Sequence, residues 1–210
     1  IYATSSSDGG ASWSRPVQVD GLSADAKLNA SSPSSALTPS GEAWVAWHDN
    51  RNGRNDVFAA RSPDGGLTWG APQRLDADSP GTAESRFPTV AVSPDGGVIA
   101  VVWEDDRSGL EAVYCRILSG GQWSAETRLG PVLPPKKTAR APRIVATGPG
   151  GPALRPRALR RAQMDDRVCA YLGRMTPQPI VGVRRRTKPR LPLFGFFVEA
   201  PLVDGTRRCA

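Results

Sequence analysis

Two loops in the first half of the chain concentrate the side chains that could do chemistry. One reads His48-Asp49-Asn50-Arg51-Asn52-Gly53-Arg54-Asn55-Asp56, the other Glu104-Asp105-Asp106-Arg107-Ser108-Gly109-Leu110-Glu111. Glu104 next to Asp105 and Asp106 could hold calcium, although acidic clusters on exposed loops are commonly just solvated. Asp49-x-Arg51 and Asp105-x-Arg107 occupy equivalent places in the two loops, and recurrence favours a salt bridge or Asx-turn built into the loop over catalysis. His48 is the one histidine of the chain, which argues against a multi-histidine metal site and leaves a Ser-His-Asp triad a single possible base. Cys115, Cys169 and Cys209 are scattered, odd in number and without C-x-x-C spacing, so neither a disulfide framework nor a zinc site is indicated. No cofactor and no metal is expected.

The loops recur because the chain does. Ser62-Pro63-Asp64-Gly65-Gly66-Leu67-Thr68-Trp69 repeats Ser6-Ser7-Asp8-Gly9-Gly10-Ala11-Ser12-Trp13 at a spacing of 56 residues (62 − 6). In S-x-D-G-G-x-[ST]-W the carboxylate accepts backbone N–H bonds, the glycines take positive φ, and the tryptophan plugs the turn to the sheet. Ser6, Asp8, Gly10, Trp13, Ser62, Asp64, Gly66 and Trp69 are read as structural on this basis. A third copy, Leu118-Ser119-Gly120-Gly121-Gln122-Trp123, keeps the glycine pair and Trp123 but has no aspartate at the box position.

Between boxes, short apolar runs punctuated by Gly, Pro and Asp read as strands and turns, four strands per roughly 55 residues, which is the plan of one antiparallel propeller blade. The boxes fall in strand 3–4 turns and mark one rim. The two charged loops and the inter-blade loops around Ser31, Arg86 and Arg140 share the other, and a ligand site is expected there. Trp44, Trp47 and Trp103 lie on second strands and read as inter-blade packing rather than platforms for a ligand.

The box closely resembles the Asp-box of the sialidase, or BNR-repeat, family. The resemblance covers about residues 1–151 and implies an all-β fold, a partial sialidase-like propeller of about two and a half blades: the end of blade A (1–20), blade B (29–76), blade C (84–130) and the start of a fourth (138–151). It further implies an exo-sialidase-like glycoside hydrolase acting on terminal sialic acids of glycoconjugates. Arg86, in Arg86-Phe87-Pro88, and Arg140 match the family's carboxylate-clamping arginine, and planar guanidinium forks suit that task. Asp49, Arg51, Asp105 and Arg107 fall in W-x-D-x-R-like loops of the kind such enzymes place near the sugar. Asp56, in Asn55-Asp56-Val57-Phe58, matches the acid/base aspartate. The pattern is split, however. Blade B reads Ser31-Ser32-Pro33 where the arginine belongs, and blade C has Ala112 at the position of Asp56. The family's nucleophilic tyrosine is also missing, since Tyr2 and Tyr114 sit mid-strand and Tyr171 lies beyond the repeats. A non-catalytic propeller binding glycan or protein at a cell surface is the alternative, and the fragment itself is expected to be inactive. Export to the cell exterior is expected from the resemblance alone.

Composition divides the chain as well. Residues 1–135 hold 10 Lys+Arg and 16 Asp+Glu, net −6; residues 136–210 hold 17 and 4, net +13, summing to the overall +7. The repeat stops in mid-blade, and residues 152–210 form an Arg/Pro-rich region read as irregular, either a basic tail or the product of a reading-frame slip. Residues 184–190 look like a nucleic-acid patch by charge alone, but solvated disorder is the readier account, so a nucleic-acid partner is not expected. No segment is long and apolar enough to span a membrane. The chain opens directly on the strand before a box and is read as a fragment; the sequence sets no oligomeric state.

Overall fold

In a computed structural model, residues 1–22, 28–129, 137–139, 142–147, 167–172 and 195–204 are described. Every regular element among them is a β-strand and every strand pair is antiparallel. No described helix is long and apolar enough to cross a membrane.

The fold is a row of four-stranded meanders. Strands β1 (Tyr2–Ala3) and β2 (Val17–Gln18) pair as the end of blade A. Blade B runs β3 (Ala30–Leu37), β4 (Ala43–Asp49), β5 (Asp56–Ser62) and β6 (Gln73–Arg74) in spatial order. Blade C repeats it with β7 (Ser85–Val92), β8 (Val98–Asp105) and β9 (Ala112–Ser119), its fourth strand divided into β10 (Gln122–Trp123) and β11 (Thr127–Leu129), both paired to β9.

The second strands are apolar on both faces because each is sandwiched between neighbouring sheets. Along β4 every residue is buried. Contacts follow the pleat: Trp44 and Ala46 pack forward against Val90, Ile99, Val101 and Trp103 of blade C, while Val45 and Trp47 pack back against Val19 of blade A. Along β8 the faces likewise divide, Val101 and Trp103 toward blade B, Ala100 and Val102 toward Ile144 of the next sheet. Trp47 and Trp103 are fully buried, as packing residues should be. Burying each large apolar side chain contributes about 1.5–3 kcal/mol, so the faces between blades hold the row together.

The next sheet differs in order of assembly. Strand β13 (Arg143–Thr147) lies against blade C where the opening strand of a fourth blade belongs. Its partner is β15 (Gly195–Asp204), which also pairs with β12 (Lys137–Ala139) and β14 (Arg167–Leu172). Two strands thus fall in the stretch whose composition reads as irregular. Phe196, Phe197, Val198, Leu202 and Val203 give β15 a strand-forming sequence that the surrounding arginines and prolines mask in any average.

Candidate functional site

The boxes close as their chemistry dictates. In the second, Gly66 N–H donates to Ser62 Oγ (2.7 Å), Ser62 Oγ donates to Asp64 Oδ1 (2.8 Å), and Thr68 donates through N–H (2.8 Å) and Oγ1 (2.6 Å) to the Asp64 carboxylate. The first repeats this with Ser6, Asp8, Gly10 and Ser12 at 2.6–2.9 Å. Gly9, Gly10, Gly65 and Gly66 all have positive φ. A Cβ on Gly10 or Gly66 would lie 3.8 Å from Cζ2 of Trp13 or Trp69, so each indole covers its own turn in the same way. Trp69 also packs on the core, whereas Trp13 is 63% exposed. In the degenerate copy Gly120 and Gly121 (φ 57° and 79°) form a hairpin turn, and Trp123 reaches across to Gln73 Oε1 (3.0 Å) and meets Trp44 edge-on at 5.9 Å. A groove of about 1030 Å³ opens beside it on this rim, between blades B and C, with Trp44, Trp69, Trp123, Glu42 and Arg61 among its walls.

On the opposite rim the two W-x-D-x-R loops are built alike. Arg51 grips the buried Asp49 through Nε (2.8 Å) and Nη2 (2.6 Å) and lies 4.1 Å from the Phe58 ring centroid. Arg107 grips the buried Asp105 through Nε (2.8 Å) and Nη2 (2.5 Å) and lies 4.4 Å from the Tyr114 ring. Both arginines also tie their blade to the preceding one. Arg51 Nη2 donates to the Asp20 carbonyl (2.8 Å); Arg107 Nη1 donates to Glu126 Oε1 (2.6 Å), whose Oε2 accepts from Ala77 N–H (2.8 Å), with Asp78 3.7 Å away. Asp105, with Arg107 and Ser85 donating to it, is held below the usual carboxylate range in spite of burial, and the same pairing raises Arg107. One indole differs: Trp47 Nε1 donates to Asp49 (2.8 Å), while Trp103 Nε1 has no hydrogen-bond acceptor among the described residues.

Asp56 has no exposed surface. Asn52 Nδ2 donates to its Oδ2 (2.6 Å), Gly81 N–H to its Oδ1 (3.0 Å), and Arg74 Nη2 lies 3.2 Å away. Arg74 also bonds Asp76 and, at 2.7 Å, Asp78. Oxygens of the three aspartates lie within 4.8 Å of one another, a spacing that suits a cation, and Arg74 supplies one. Burial first, then the hydrogen bond shared with Asp78, pushes Asp76 up to about 8, against the N–H of Val57 donating to it at 2.7 Å. Asp20 accepts from the backbone nitrogen of Ile1 at the equivalent place in blade A.

Arg86 stands between blades B and C with 30% of its side chain exposed. Glu104, Glu111 and Glu84 surround it at 3.5, 3.9 and 4.0 Å, and its Nε lacks a close acceptor among the described residues. The next residue, Phe87, has φ 51° immediately before Pro88; Ser32 has φ 54° before Pro33 at the same place in blade B. Left-handed φ in residues with a Cβ is uncommon, and both sit where the first strand slips register against the second. His48 fastens this corner, its Nε2 2.9 Å from Ser31 Oγ and its Nδ1 accepting from Phe87 N–H at 3.3 Å. Farther out, Arg54 links Glu84 (3.1 Å) to Asp106 (3.2 Å).

The structure therefore gathers Asp49, Arg51, Asp56, Arg86, Asp105 and Arg107 on one rim, with the three aspartates buried and the three arginines partly exposed, Arg86 the most at 30%. Arg140 lies outside the described residues. Arg74, Asp76, Glu84 and the fastening by His48 were not singled out from sequence, although an aspartate closing the fourth strand recurs as Asp20 and Asp76.

The chain matches no family model and no curated protein sequence. Among solved structures it is similar to Hadza microbial sialidase Hz136, with 16% identity, 56% of this chain and 32% of that one covered, and a TM-score of 0.41. It is similar to Penicillium chrysogenum alpha-L-arabinanase complexed with arabinobiose, with 18% identity, 67% and 44% coverage and a TM-score of 0.44. It is also similar to a protein of unknown function from Dyadobacter fermentans DSM 18053, with 20% identity, 94% and 44% coverage and a TM-score of 0.47. The chain spans less than half the length of each.

Proposed function

We propose that this chain is part of a sialidase-like propeller, acting outside the cell, that recognises a terminal acidic sugar of a glycoconjugate through the rim around Arg86, and that these residues bind rather than hydrolyse it. The observation that carries the reading is the state of Arg86. Arg51 and Arg107 each close on an aspartate at 2.5–2.8 Å and on an aromatic ring at 4.1 and 4.4 Å, whereas the acidic neighbours of Arg86 stand at 3.5 Å or more and its ring contact, to Phe87, is at 5.9 Å. A guanidinium aimed but not saturated can form a bidentate pair with a sugar carboxylate.

A second reading makes the parent an exo-sialidase with Asp56 as acid/base. The split arginine and aspartate pattern weighs against it, and so does the burial of Asp56, since a general acid must come within hydrogen-bond reach of the glycosidic oxygen.

Calorimetric titration of the chain with 3′-sialyllactose and with lactose separates these ideas. Binding of the sialoside alone, lost in Arg86→Ala, is the expected result. Equal binding of both sugars overturns the acidic-sugar reading, and binding of neither overturns the rim. Hydrolysis of a fluorogenic sialoside by the parent, abolished by Asp56→Asn, would restore the enzyme.

A further inference from the structure

We infer that His48 is a positioning residue for Arg86, and that its protonation loosens the Arg86-Phe87-Pro88 corner, so the rim holds its ligand near neutrality and lets go in acid. The ligand half of this rests on the reading of Arg86 above; the coupling between His48 and Phe87 does not.

The geometry is specific. His48 is on β4 of blade B and 5% exposed, yet it is bonded to two chain segments. Nε2 meets Ser31 Oγ of its own blade at 2.9 Å, and Nδ1 accepts the N–H of Phe87, in blade C, at 3.3 Å. The Phe87 ring stands edge-on to the imidazole, with centroids 5.6 Å apart. Phe87 is in the left-handed region before a proline, where a residue with a side chain stays only if its surroundings hold it. Among the described residues the hydrogen bond to Nδ1 and the edge-on ring contact help hold it, and Arg86 is the adjacent residue.

A neutral ring can accept at Nδ1 while Nε2 donates to Ser31; an imidazolium carries protons on both nitrogens and can accept at neither. Protonation therefore removes the acceptor from Phe87 N–H and sets a positive charge near Arg86. The charged groups acting on the ring are Arg86 and Glu84 across the junction and Asp49 on its own strand. Burial, then Arg86, lowers His48 below its ordinary value of 6.5 despite the two carboxylates. The corner is thus intact at neutral pH and opens as the pH falls below that value. Blade C has Glu104 at the position equivalent to His48 (48 + 56), so the device belongs to one junction.

His48 is the sole histidine, so its imidazole signal in an NMR titration from pH 8 to 5 needs no assignment. The expected result is that the Phe87 amide resonance shifts with the same midpoint as the His48 ring proton, while amides in β8 stay put. A Phe87 amide that ignores the imidazole titration overturns the inference. In His48→Gln the side-chain oxygen can still accept and gains no charge, so this variant should bind 3′-sialyllactose at pH 7 as the parent chain does and lose the several-fold weakening at pH 5. A His48→Gln chain that keeps the weakening refutes the positioning role. If the unaltered chain binds no sialoside at pH 7, the acidic-sugar reading fails, and the shared NMR midpoint still decides the coupling.

Discussion

Arg107 lies 4.4 Å from the ring centroid of Tyr114 while its Nε and Nη2 close on Asp105, and the same arrangement occurs 56 residues earlier (107 − 51) with Arg51, Phe58 and Asp49. A planar cation fits between an aromatic face and a carboxylate in a way a point charge does not.

Arg107→Lys should therefore destabilise the chain although it keeps the charge. One charge-assisted bond and the stacking are lost, about 1.5–3 kcal/mol. Urea unfolding read by tryptophan fluorescence checks this; an unchanged midpoint would contradict the account of the clasp.

Asp76 has an alkaline consequence. Folding raises this carboxyl to about 8, chiefly through burial, so the folded chain keeps a proton that the unfolded chain releases above its ordinary value near 4. The folded state then binds more protons than the unfolded one, and stability from this group falls as the pH rises from about 4 to 8. Asp76→Asn keeps an oxygen to accept the Val57 N–H and titrates nowhere in that range. Its unfolding midpoint should decline less between pH 5 and 8 than that of the unaltered chain.

Two glycines with similar backbones should respond differently to alanine. Gly81 (φ +68°) lies so close to Asn52 that a Cβ would sit 2.0 Å from its carbonyl oxygen, and its N–H serves Asp56. Gly109 (φ +85°) faces open space. Gly109→Ala should cost only the roughly 1–2 kcal/mol of a left-handed L-residue, and Gly81→Ala clearly more, with the Asn52 loop displaced. Paired thermal melts compare them directly.

The box can be tested at its carboxylate. Asp64 is held down to about 2, first by the Thr68 hydroxyl and then by the Thr68 N–H. Its contribution is present above the ordinary carboxylate range and lost as the pH falls through that low value. Thr68→Val removes the hydroxyl and keeps the shape, so the Asp64 titration, followed by carbon NMR, should move up toward the ordinary value.

How far this was legible in the sequence depends on the range of each interaction. The boxes close over seven residues, 62–68 in the second, so Ser62, Asp64 and Thr68 carry the instruction, and Asp49-x-Arg51 is a local pair readable as such. Trp47 and Trp103 declared their burial through the apolar runs around them. Asp56 was harder. Its surroundings come from Arg74, Asp76 and Gly81, 18 to 25 residues on (74 − 56, 81 − 56), and no local pattern shows that an arginine on the fourth strand will reach it. The corner at Phe87 needs an imidazole 39 residues earlier. The strand at 195–204 eluded a reading based on repeats, since it stands beside β13 without belonging to the periodic plan.

The joint made by Arg51 and Arg107 treats the two blades it links unequally. The later blade contributes the side chains, Arg51 in one case and Arg107 with Glu126 in the other; the earlier contributes chiefly the Asp20 carbonyl and the Ala77 amide. Those backbone groups survive any exchange short of proline. At this joint, exchange of side chains in the later blade therefore loosens its hold on its predecessor, while the predecessor's own share is indifferent to its side chains.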